Sequence, residues 1–233
     1  MRSAADELLA VLDDTVSRGQ HIIELLIGEA TFTVGNHYPP DDVYDHATGA
    51  GFFYHAHPAD PRPRVSGPQP LPEHGHFHLF VNRRAVPRGV KPLKRPGRPT
   101  KNWGLCHLAA IAMDVRGVPS RVFTTNQQLS QEWVYPAPVV IDLLDRFEIG
   151  DPCLRTPVSA WVTSMAVLFR PQIVFLLRGR DRILAPEAGH CAFKSADRDE
   201  PLEITSHVEI DIDRQIATVD RALKYAKKRG VSN

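Results

Sequence analysis

Hydrophobic and polar positions change their period twice along the chain. Leu8, Leu9, Leu12 and Val16 recur at helical spacing, with Ser3 as a candidate cap and Asp6 and Glu7 in the first turn, so the N-terminus reads as a helix. A second apolar stretch, residues 21–30, extends this helical region or opens a second helix after Gly19, with His21 on or beside its apolar face. Residues 36–51 are turn-rich, and Pro39-Pro40 forbids helix there. Period-2 alternation then takes over. Residues 52–57 read as a strand ended by Pro58, residues 76–81 as the next, and residues 106–114 and 120–125 as a hairpin turning at 115–119.

Beyond residue 137 the helical period returns. Residues 139–147 have mixed apolar periodicity, and Thr156-Pro157 forms a helix start with a Thr cap and Pro at the first helical position. That helix runs to Arg170-Pro171, where proline must break or kink it, and a further apolar stretch follows over 173–177. Residues 202–212 hold a candidate strand, and Asp211 or Asp213 caps a last helix lined by Ile216, Val219 and Leu223. The expected fold is α+β: a small antiparallel meander covered by N- and C-terminal helices. The expected organisation is a single domain over 1–233, with a helical segment at 1–30, a His-rich β core at 36–126 and a mainly helical part at 137–230.

Composition narrows the function classes. The 28 basic and 27 acidic residues give a formal charge of +1, which offers no electrostatic case for nucleic acid or an acidic membrane. No signal-like N-terminus and no apolar run of about 18–20 residues is visible, so a cytoplasmic location without a membrane partner is the expectation. The three cysteines, Cys106, Cys153 and Cys191, share no CxxC spacing, and no phosphate-loop, dinucleotide, GxSxG or HExxH motif occurs. Eight basic residues and no acid lie between Arg83 and Lys101. They form either a solvated loop or a phosphate- or partner-binding one.

The chemistry concentrates in two clusters, Tyr54-His55-Ala56-His57 and Glu73-His74-Gly75-His76-Phe77-His78. Side chains two apart on a strand share a face, so His55 and His57 are expected together, as are His74, His76 and His78. His107, alternating with Ala109, Ile111 and Met113, is a further candidate from a neighbouring strand, or else a core histidine. Neutral imidazoles suit iron, copper or zinc rather than calcium or magnesium. Glu73 and Asp60 are the nearest carboxylates, with Asp41, Asp42 and Asp45 upstream. Glu73 is also a candidate base, and Tyr54 and Tyr44 are candidate proton donors. Gly75 marks a place where another backbone or a ligand comes close.

The motifs HYPPDDVYD, YHAH, EHGHFH and FTTN resemble those of a bacterial family of unknown function, over roughly residues 1–225 with the specific part in 36–126. The resemblance places these histidines in the family's pattern and implies no activity. From the residues, two functions are open. One is a metal-dependent enzyme, an iron or copper oxidoreductase acting on a small organic substrate or a zinc hydrolase. The other is a non-catalytic metal-binding or sensing protein. The metal's identity, the substrate and the oligomeric state are not legible in the sequence.

Overall fold

Alternation over residues 50–55 and 73–82 places large apolar side chains on one side of two adjacent strands, and this side becomes the core. The computed structural model describes residues 1–56, 73–95, 104–126, 132–184 and 204–229. Its strands are β1 (Tyr38–Tyr44), β2 (Ala50–His55), β3 (Glu73–Asn82), β4 (Leu105–Asp114), β5 (Pro119–Thr125) and β6 (Ile204–Glu209). They form one six-stranded sheet in the order β1-β2-β3-β4-β5-β6, with every neighbouring pair antiparallel. The expected meander is therefore present and longer than the sequence suggested.

Among the described residues six α-helices accompany it: α1 (Arg2–Ser17), α2 (Ile22–Ile27), α3 (Ala137–Leu144), α4 (Pro157–Leu168), α5 (Arg170–Leu184) and α6 (Ile212–Lys228). Their apolar faces meet Phe52, Tyr54, Phe77, Leu79, Ile111 and Met113 in one continuous core that includes Leu8, Trp161, Leu168 and Leu176. Phe77 lies 5.2 Å from the Trp161 ring, which joins the middle of the sheet to α4. The opposite side of the sheet carries a smaller apolar group, Ala110, Ala112 and Phe123 with Ile204 against it.

Several local expectations hold. Thr156 Oγ1 accepts from the Ser159 backbone N–H at the start of α4, and Asp211 accepts from Arg214 N–H at the start of α6. The chain bends by 69° between α4 and α5, with the break at Phe169 and Arg170-Pro171 opening α5. Taken together, that pair passes a length and composition test for a broken membrane span, but no single described helix is long and apolar enough to cross a bilayer.

Two expectations are corrected. Helix α1 begins at Arg2 and has no side-chain cap, so Ser3 lies inside it. The turn-rich stretch after residue 36 contains an edge strand, β1, whose pairing is irregular between Tyr38 and Val43. Prolines lack the N–H a ladder needs, and an edge position tolerates that loss. The candidate strand over 202–212 is present as β6, which pairs with β5. Cys191 and residues 96–101 of the basic loop lie outside the described residues.

Gly75 behaves as expected of a close-approach position. A Cβ there would overlap the His55 carbonyl oxygen and come within 2.6 Å of the Tyr54 hydroxyl. Gly75→Ala is expected to destabilise the protein by about 1–3 kcal/mol, the usual cost of overpacking, read as a lower urea midpoint. An unchanged midpoint would show that β2 and β3 can separate without cost.

Candidate metal centre

The histidine side of the sheet is built by register. His55 on β2 stands directly opposite His76 on β3, which stands opposite Ala112 on β4 and, beyond it, Arg121 on β5. The next rung on the same side runs Phe53, His78, Ala110 and Phe123. His55, His76 and His78 thus occupy neighbouring positions on one face, with small alanines beside them that leave room for imidazoles. One ligand nitrogen from each of the three lies within 4.8 Å of the others. His76 and His78 are buried, while His55 is half-buried at the end of its strand.

The His55 and His76 Nε2 atoms are 2.9 Å apart. An ion with metal–nitrogen bonds of about 2.0–2.1 Å holds adjacent ligands roughly 2.9–3.4 Å apart, so this separation suits two imidazoles on one transition metal. His76 donates its Nδ1–H to Glu73 Oε1 at 2.8 Å, which leaves the Nε2 lone pair directed at His55. The second Glu73 oxygen accepts from Arg121 Nη2 at 2.5 Å. Burial alone would raise the Glu73 carboxyl, but its hydrogen bond and charge contacts to His76 and Arg121 outweigh that and lower it. A carboxylate held in this way fixes the tautomer and ring orientation of a metal-binding histidine.

His78 Nδ1 lies 3.0 Å from His107 Nε2. Burial, then the neighbouring Arg180 guanidinium and His76, push His107 down to about 3, so its ring is neutral near pH 7. Burial and the surrounding histidines likewise hold His78 well below its ordinary value. Were a metal to take His78 through Nε2, its Nδ1–H would donate to His107, much as His76 donates to Glu73.

Two β-bulges redistribute the other candidates. The register shifts between Glu73 and Gly75, which puts Glu73 beside His76 and turns His74 to the helix-covered side. There His74 Nδ1 meets the Tyr54 hydroxyl at 2.6 Å and its ring packs on Phe32. The expectation that His74 shares a face with His76 and His78 is therefore corrected. Tyr54 lies with His74 in the core, away from the triad. Burial, followed by the charge of Glu73, raises its phenol far above the ordinary value, so the O–H stays and donates to His74.

The second shift falls between Leu79 and Phe80, opposite Leu108. Ala109, Ile111 and Met113 face the helices, and the extra residue returns His107 to the histidine side. Alternation alone would have placed His107 with Ala109. Cys106, its neighbour, remains in the core, and burial pushes its thiol up to about 12, which leaves it an inert apolar side chain.

His57 and Asp60 lie outside the described residues. Asp45 is buried and accepts four backbone N–H groups, so it serves the fold. Tyr44 accepts a hydrogen bond from Asn82 Nδ2. Two contributors escaped the sequence reading. Arg121 gave no signal, because its position opposite Glu73 depends on two strand registers. His37 was visible only as a histidine near acidic residues. Its ring now stacks on Phe53 at 3.8 Å and lies edge-on to His55 at 5.5 Å.

Over residues 2–210 the chain matches the family described as Domain of unknown function (DUF6969). The chain belongs to this family. The match spans both histidine clusters, all the helices but α6 and all six strands, so the fold and the candidate centre both fall within the family's region. No curated protein and no solved structure matches the chain at a significant level. The triad geometry, compatible with a transition metal, is accordingly the starting point for function.

Proposed function

We propose that this protein is a metal-dependent enzyme whose ion is held by His55, His76 and His78, and that it acts on a small organic substrate. The observation that carries the reading is the convergence of three ligand nitrogens on one face of a sheet. Three protein ligands leave coordination positions for a substrate or water, the arrangement catalytic metal sites use. An iron or copper oxidoreductase is preferred to a zinc hydrolase. Glu73 supports this preference, because both its oxygens are engaged, one by His76 and one by Arg121, which leaves it poorly suited to act as a hydrolytic base. Phe53, Phe80 and Phe123 around the histidines favour an apolar part of the substrate.

The alternative, a non-catalytic metal-binding or sensing protein, draws its support from the burial of His76 and His78. Elemental analysis of the full chain, purified without a His-tag or added metal, tests the shared premise. Stoichiometric iron or copper is expected. Zinc would move the reading to hydrolysis. A chain that carries none of the three and takes up none on dialysis would overturn it. If metal is present, an exchangeable water seen by relaxation measurements supports the enzyme, and its absence supports the closed binding protein.

A further inference from the structure

Glu73 bonds the far nitrogen of His76, and His107 bonds that of His78. His55 is the more exposed of the three and sits at the last position of its strand, where a side chain has the most rotamer freedom. Its ring meets His76 at 4.7 Å, His78 at 5.0 Å, Phe53 at 5.5 Å and His37 at 5.5 Å between centroids. The first two are the other ligands. Phe53 shares the same strand. His37 alone among these four comes from β1's side of the sheet, and it is held by a specific bond: its Nδ1–H donates to Asp42 Oδ1 at 2.7 Å.

The backbone supports that bond at a cost. Asp42 has φ 54°, the one described residue other than glycine with a positive φ. Aspartate tolerates this left-handed conformation better than most residues, but such strain persists only where the surroundings enforce it, and it gathers at functional sites. Between His37 and Asp42 the chain passes through Tyr38-Pro39-Pro40-Asp41, where the β1 ladder is irregular. The excursion brings the Asp42 carboxylate back to His37. Both side chains are mostly shielded, at 21% and 14% exposed. His37 lies flat on Phe53, with an interplanar angle of 10°. It is outside the set of nitrogens that converge on the centre.

We infer that the Asp42–His37 pair is a positioning device for the metal centre: it wedges the His55 ring into the orientation that meets His76 and His78. The inference rests on the metal-site reading above. A ligand ring fixed before the ion arrives avoids the ordering cost that a free side chain incurs on binding. Glu73 with Arg121 supports His76, His107 supports His78, and His37 with Asp42 supports His55. Glu73 and His107 act by hydrogen bonds, while His37 acts by ring contact and is itself fixed by a carboxylate.

The probe is cobalt(II), titrated into the metal-free full chain, because its visible ligand-field bands report the number and arrangement of nitrogen ligands. His37→Ala and Asp42→Gly are each expected to weaken cobalt binding by about 10–100-fold, the usual effect of removing an outer support, and to change the band pattern. Glycine accepts the positive φ, so Asp42→Gly removes the bond to His37 while relieving the strain. Asp42→Asn keeps an acceptor oxygen and is expected to restore most of the affinity. His37→Phe preserves the stack on Phe53 and loses the bond to Asp42, so the ring is no longer fixed; it should keep the wild-type far-ultraviolet spectrum yet bind cobalt more weakly. It carries the test should His37→Ala fail to fold. Wild-type affinity and spectrum in both His37→Phe and Asp42→Gly would overturn the positioning role and leave the metal site standing. A wild-type chain that takes up no cobalt, iron, copper or zinc would overturn both.

Discussion

Changing His76 and His78 together to alanine is expected to abolish metal binding while leaving the sheet in place. The double variant removes two of the three converging nitrogens and leaves His55 alone on the rim. Structural zinc sites with full ligand sets bind with about 10–16 kcal/mol, so losing two of three imidazoles should weaken the ion by at least about four orders of magnitude. The fold should survive, because β3 keeps its backbone ladders to β2 over residues 76–81 and to β4 on its other side. Glu73 also keeps Arg121 as a partner. The cavities left by two buried rings should cost a few kcal/mol at most, visible as a lower urea midpoint with an unchanged far-ultraviolet spectrum. Metal content by mass spectrometry is the readout, and an unchanged value would exclude this triad as the site. His74→Ala is the control that separates geometry from histidine counting. His74 belongs to the same sequence cluster but faces the helices, so its loss should leave metal content as it was.

That control also shows how far the sequence could be read. Strands β2 to β5 and the hairpin between β4 and β5 were visible as alternation, and the convergence of His55, His76 and His78 followed from it. Alternation counts residues, however, and a bulge adds one without a signature. The shift at Gly75 moved His74 out of the site, and the shift at Leu108 moved His107 in, against the period in both cases. Gly75 gave a partial signal, since a glycine inside a strand often marks a bulge or a close approach. Leu108 gave none. Strand β1 was hidden by Pro39 and Pro40, which penalise any strand reading although an edge can hold them. Strand β6 was legible as a segment, but its place beside β5 depends on a long connection and on packing under α5. Asp211 and Thr156 were found because capping is local. Glu73 with Arg121 and His37 with His55 were not, because each pairing needs the register of other strands.

The largest stability effect is expected at Asp45, a residue the sequence offers as a spare ligand and the structure uses as a clamp. Its Oδ1 accepts the backbone N–H groups of Ala47 and Thr48, closing the turn between β1 and β2. Its Oδ2 accepts those of Gly150 and Asp151, in the connection between α3 and α4. A hydrogen bond from Thr48 Oγ1 to the Glu148 carbonyl runs alongside. One buried carboxylate therefore fastens the edge of the sheet to the helical layer. Asp45→Ala leaves four donors to find water or remain unpaired, and is expected to cost about 3 kcal/mol. For a chain of this size that corresponds to a fall in Tm of about 6–12 °C. Asp45→Asn retains one acceptor oxygen but presents an amide N–H₂ to two donors, so it should fall between the wild type and Asp45→Ala. The pH dependence has a definite sign. Burial alone would raise the Asp45 carboxyl, but the four backbone N–H groups outweigh it and hold the folded value below the ordinary one. Its contribution is therefore complete above the unfolded value, near pH 4, and is lost as pH falls through the lower folded value. Urea midpoints measured from neutral pH down to acid should converge for wild type and Asp45→Asn as the clamp protonates. A gap that stays constant over that range would show that the carboxylate's charge does not carry the clamp. Because β1 carries Asp42, which bonds His37, and pairs with β2, loosening this edge should weaken cobalt binding at neutral pH even though Asp45 is not one of the converging ligands.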